Sequence, residues 1–130
     1  MGDFARRLMD ADEAGVHCLG CQPDELRTAA AQAGMALFEA DMAAVQGKDE
    51  FLAAVALAVR VPEWFGNNWD ALADALGDLS WRPAPGYVLL LCDGEALGLS
   101  VADHETATEI FAATVAFWKS QGKPFWVFYC

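Results

Sequence analysis

Two apolar runs constrain the fold most: Tyr87–Cys92 (YVLLLC) and Phe125–Cys130 (FWVFYC). Neither alternates polar with apolar, so neither can be a strand with one wet face. Each reads as a short strand covered on both sides, as in parallel sheets flanked by helices. The segments between them carry helical spacing, which makes the order α/β.

The rest of the chain fits that frame. Residues 1–14 are polar and mixed, with one helical turn expected near Phe4–Met9. A short strand is expected at Gly15–Leu19. A helix follows at Gln22–Ala33, with Pro23 in its first turn, Asp24 and Glu25 at its positive end and Gly34 as its stop. Met35–Asp41 reads as a strand. Asp49–Val59 reads as a helix, with Phe51, Leu52, Val55 and Val59 on one face, and Pro62 ends it.

A third helix, capped by Asn67 or Asn68, is expected to run to about Leu79, with Trp69, Leu72, Ala73 and Leu76 toward the core. Arg82–Gly86 connects to the strand at Tyr87. Asp93–Glu105 reads as a loop holding His104, and Thr106–Gln121 as a long helix stopped by Gly122 and Pro124. The aromatic end, including Phe117, Trp118, Trp126 and Tyr129, reads as core. The expected product is one compact α/β domain with a mainly parallel sheet.

Charge narrows the function. The 130 residues carry a formal net charge of −11. Nucleic acid and anionic membrane surfaces would repel such a chain, whereas a basic protein would attract it. No apolar run approaches the ~18 residues of a membrane span. The N-terminus lacks the apolar core of a secretory signal, so a cytoplasmic location is expected.

The acids concentrate in VPEWFGNNWDALADALGDLSW, residues 61–81, which holds Glu63, Asp70, Asp74 and Asp78 and no Lys or Arg before Arg82. Asp70, Asp74 and Asp78 are four apart and would line one helix face. Like charges so spaced destabilise a helix by roughly 0.2–0.5 kcal/mol per pair. Asp70 complements the helix dipole, but Asp74 and Asp78 have no such local role. Directly before them stand Trp64, Phe65 and Gly66. An aromatic anchor beside unneutralised carboxylates suits an interface with a basic partner.

This segment resembles the barstar family of ribonuclease inhibitors. Pro62, Trp64, Phe65, Gly66, Asn68, Asp70, Ala71, Leu72 and Asp74 match the family pattern. The resemblance covers residues 34–130 and implies a small layered barstar-like domain. Residues 1–33 have no counterpart in the family and would then be an N-terminal extension packed on the domain, either adding a strand and helix at the sheet edge or regulating access to the site. It also implies that the chain plugs the active site of a basic ribonuclease. Trp64 would be the loop contact, with Phe65 and Gly66 beside it. Asn68 and Asp70 would contact the enzyme at the helix start, and Asp74 would stand in for a substrate phosphate. Asp78 extends the acidic patch. The chain departs from the pattern at Ala73 and Leu79, where the relative has tryptophans, and at Phe117 and Gln121, where it has acids. Those departures would alter the rim of the interface.

Other chemistry is less well supplied. Cys18 and Cys21 form a CxxC beside His17, which suits a redox dithiol or half of a zinc site. Only Cys92, Cys130 and His104 remain as further ligands, so structural thiols are the simpler reading. No phosphate loop or nucleophile motif is present. The expectation is a binding protein without cofactor, metal or catalysis. The alternatives are a thiol redox or metal module, or a binder of a different basic protein.

Overall fold

The computed structural model describes residues 2–62, 66–92 and 98–130. Its elements are α1 (Asp3–Leu8), β1 (Val16–Cys18), α2 (Pro23–Ala33), β2 (Ala36–Asp41), α3 (Lys48–Val59), α4 (Trp69–Leu76), β3 (Tyr87–Cys92), α5 (Val101–Ser120) and β4 (Phe125–Tyr129). The four strands form one sheet in the order β1-β4-β3-β2, and every pair is parallel.

Helices cover both faces. Tyr87, Leu89, Leu91, Phe125 and Val127 pack with buried residues of α3, α4 and α5. Val88, Leu90, Trp126 and Phe128 point the other way, against Ala5, Leu8, Leu26, Ala29 and Ala30 of α1 and α2. This two-sided burial explains the lack of alternation in both apolar runs. The chain crosses from β1 to β2 by way of α2, then returns through β3 to β4 by way of α3, α4 and α5. Opposite directions use opposite faces, as right-handed crossovers require.

Residues before β2 therefore complete the sheet as well as cover it. β1 pairs with β4, Val16 against Val127, and α2 ends at Gly34 in a left-handed conformation with φ of 70°. Glycine adopts that conformation without steric cost.

Three tryptophans fasten helix ends. The indole N–H of Trp126 donates to the carbonyl of Leu8, that of Trp81 to Val59, and that of Trp118 to Leu76, at 2.8, 3.0 and 2.8 Å. Leu8, Val59 and Leu76 are the last residues of α1, α3 and α4. A helix leaves its final carbonyls without intrahelical donors, so each indole fills a defined need.

Several expectations need correction. α5 begins at Val101 rather than Thr106, because the Ser100 hydroxyl accepts from the Asp103 N–H as an N-cap. His104 is thus helical, stacked on Tyr129. α4 stops at Leu76, and Ala75 faces the core where Ala73 was expected; Ala73 is exposed. A face spanning 100° per residue places positions 72, 75, 76 and 79 together, with 73 on the flank. Phe117 is not core but 43% exposed.

Candidate partner-binding face on the fourth helix

The approach to α4 is built by three consecutive residues, each with a different physical role. Gly66 leaves room: a Cβ there would stand 2.9 Å from the Asn68 amide nitrogen. Asn67 takes a left-handed conformation with φ of 48°, which asparagine tolerates better than most residues. Asn68 is the N-cap. Its side-chain oxygen accepts from the Ala71 N–H at 2.8 Å, and its Nδ2 donates to the Gly66 carbonyl at 3.1 Å. The expected contact residue Asn68 therefore has an architectural task that fixes where α4 starts.

The far end is held as firmly. Leu72, Ala75 and Leu76 are buried, and Trp118 of α5 bonds the terminal carbonyl. Full burial of a leucine is worth about 1.5–3 kcal/mol. That outweighs the ~0.2–0.5 kcal/mol repulsion between the two helical aspartates, so packing against the core sustains an acidic outer face. Beyond the helix, Leu79 adopts φ of 49° and is buried. It therefore contributes to the core and not to the rim where the sequence had placed it.

Asp70 and Asp74 are both exposed, one helical turn apart. Asp78 is also exposed but lies past the helix end, and its carboxylate accepts from the Ser80 hydroxyl at 3.2 Å. The expected three-membered helical stripe is thus a pair followed by a turn aspartate. Among the described residues the ion pairs are Arg7–Glu13, Arg27–Asp24, Arg27–Glu39 and Lys119–Asp12, none of which involves α4. The expected loop contacts Trp64 and Phe65 lie outside the described residues.

Between α4 and α5 is a hollow of about 350 Å³ lined by Ala73, Gly77, Glu109, Ile110, Ala113, Thr114 and Phe117. Sequence reasoning missed this feature. The helical spacing of Ile110, Ala113 and Phe117 carries the signal, whereas the sequence reading assigns only Phe117, to the aromatic core. Gln121, the other departure on α5, is exposed.

The cysteines offer less. All four are free thiols, and Cys18 is exposed. Burial, and then the hydrogen bond and charge of Glu25, raise the pKa of Cys21, the reverse of what an attacking thiol needs. Burial and the neighbouring Cys130 push the Cys92 thiol up to about 12. Among the described residues no three His, Cys, Asp or Glu side chains are grouped to hold a metal ion. No helix among them is long and apolar enough to cross a membrane.

A search of curated proteins finds no match to the chain. The family model described as Barstar (barnase inhibitor) matches residues 35–130, from the residue before β2 to the C-terminus. That span takes in the capped acidic helix, three of the four strands and the α5 wall of the hollow, and the chain belongs to the Barstar family.

Proposed function

We propose that this protein inhibits a basic ribonuclease by binding across its active site. The observation that carries the reading is the exposed Asp70–Asp74 pair on a helix fixed at both ends, with no ion-pairing base among the described residues. Ribonuclease active sites gather cations to hold a phosphodiester. A carboxylate presented rigidly from α4 can occupy the phosphate position, with Asp74 central and Asp70 flanking. Little ordering entropy is lost on binding, because Asn68 and Trp118 have already set the helix. Trp64 and Phe65 would supply the aromatic contact and Gly66 its approach, with Asp78 adding long-range attraction. The protein acts by occupancy and not by turnover, in the cytoplasm, and it does not bind nucleic acid directly.

The hollow between α4 and α5 supports a choice of target within that class. Its mainly apolar walls suit an apolar side chain on the enzyme, at the helix that also carries Asp70 and Asp74. The test is a ribonuclease assay with increasing inhibitor, using a barnase-type enzyme. Competitive inhibition supports the reading. Absence of inhibition together with tight capture of a different basic protein would favour a changed target.

A further inference from the structure

Among the described residues the sheet has an open edge at β2, and we propose that a second copy of this chain pairs with it. β2 hydrogen-bonds β3 through its even-numbered residues: the Ala36 N–H donates to the Gly86 carbonyl and the Met42 N–H to the Cys92 carbonyl. In a parallel pair the intervening residues turn their backbone groups the other way. Leu37, Glu39 and Asp41 therefore direct N–H and C=O toward the open edge, a template for another strand. Beside that edge is a groove of about 690 Å³ between β2 and α3. Leu57, on the α3 wall, is 80% exposed.

Charge selects the occupant. α3 runs back along β2, so the same polarity is written twice. Asp41 ends the strand, and Asp49 and Glu50 begin the helix, with Lys48 as the one base there. Arg60 caps the opposite end of α3, and Arg82 lies in the connection before β3, next to the start of β2. Neither arginine belongs to an ion pair among the described residues. A surface acidic at one end and basic at the other is complementary to itself under a two-fold axis.

An antiparallel pairing centred on Glu39 sets Leu37 against Asp41 of the second copy, and each such pair exchanges two backbone hydrogen bonds. It brings the Arg60 and Arg82 end of one copy to the Asp41, Asp49 and Glu50 end of the other. The two Glu39 residues meet at the axis, but each carboxylate is already held by Arg27 at 2.7 Å. Leu57 of both copies flanks the join. The net charge of −11 opposes association at long range, and salt near 0.15 M screens that repulsion beyond roughly 8 Å. The groove shares no residue with α4, so the pairing does not depend on the ribonuclease reading.

The test is sedimentation equilibrium of the full chain at physiological salt across a concentration series. The expected result is a monomer–dimer equilibrium, weakened roughly a hundredfold by Leu57→Glu. A charge exchange keeps the test independent of that one site. A chain with Arg60→Glu and Arg82→Glu should not self-associate, nor should one with Asp41→Lys and Glu50→Lys, but an equimolar mixture should form the heterodimer. Amide exchange at Leu37, Glu39 and Asp41 should slow as concentration rises. A monomer at all concentrations overturns the proposal, as does a dimer indifferent to both Leu57→Glu and the charge exchange. Circular dichroism checks that each variant is folded.

Discussion

α2 and α4 both carry acids, and they dispose of them differently. Asp24 near the start of α2 and Glu39 on the adjacent β2 converge on Arg27, which lies within salt-bridge distance of both. Asp70 and Asp74 on α4 have no such neighbour among the described residues. The first arrangement is met within the chain: one surface guanidinium faces both carboxylates and leaves a single net negative charge. The second leaves its charge outstanding on a fixed scaffold. An acidic cluster thus indicates a partner only when the fold has not already supplied one.

The largest effect should come from Asp74→Ala, which we expect to weaken ribonuclease binding by about 2–5 kcal/mol in calorimetry, since it leaves enzyme cations unpaired. Asp24→Ala and Glu39→Ala should leave affinity within about 0.5 kcal/mol of the parent. Comparable losses at Asp24 would erase the distinction between the two helices.

Giving α4 the base it lacks is the next test. Ala73→Lys places an ammonium on the flank of α4, three residues after Asp70 and within a turn of Asp74. It should weaken binding at least tenfold while raising folding stability by about 0.2–0.5 kcal/mol in urea denaturation. Salt should separate the clusters as well. Stopped-flow association should slow about tenfold between low and physiological ionic strength, because the acids on α4 steer a basic enzyme.

Smaller effects test the scaffold. Asn68→Ala should cost about 1 kcal/mol of folding stability by removing the N-cap, and Asn68→Asp should largely retain it. Arg27→Ala should cost less than about 1 kcal/mol, because its pairs are exposed, and should leave inhibition unchanged.

The sequence made the layered architecture legible because its strongest signals were local. Continuous apolar strands, Pro23, Gly34, Pro62 and the Gly122–Pro124 stop marked elements close to where they lie. The misses were tertiary. The end of α4 depends on Leu79 turning left-handed into the core and on Trp118 reaching across from α5. Neither is encoded in the helix itself. Phe117 was read as core from its composition, but it lies on the α5 flank that forms the hollow. The early start of α5 has a local signal in Ser100 and Asp103, a serine cap three residues before an acid. In the site, the sequence singled out Asn68, Asp70 and Asp74. It did not reveal that Asn68 spends its amide on the cap, because that follows from the φ of Asn67 and the space at Gly66.

One measurement bears most directly on the central claim that the unneutralised pair on α4 is an enzyme-blocking surface. Inhibition of a barnase-type ribonuclease should be assayed with the parent chain, with Asp74→Ala and with Asp24→Ala. We expect competitive inhibition by the parent and by Asp24→Ala, and loss of most inhibition by Asp74→Ala. Equal inhibition by all three chains would contradict the account.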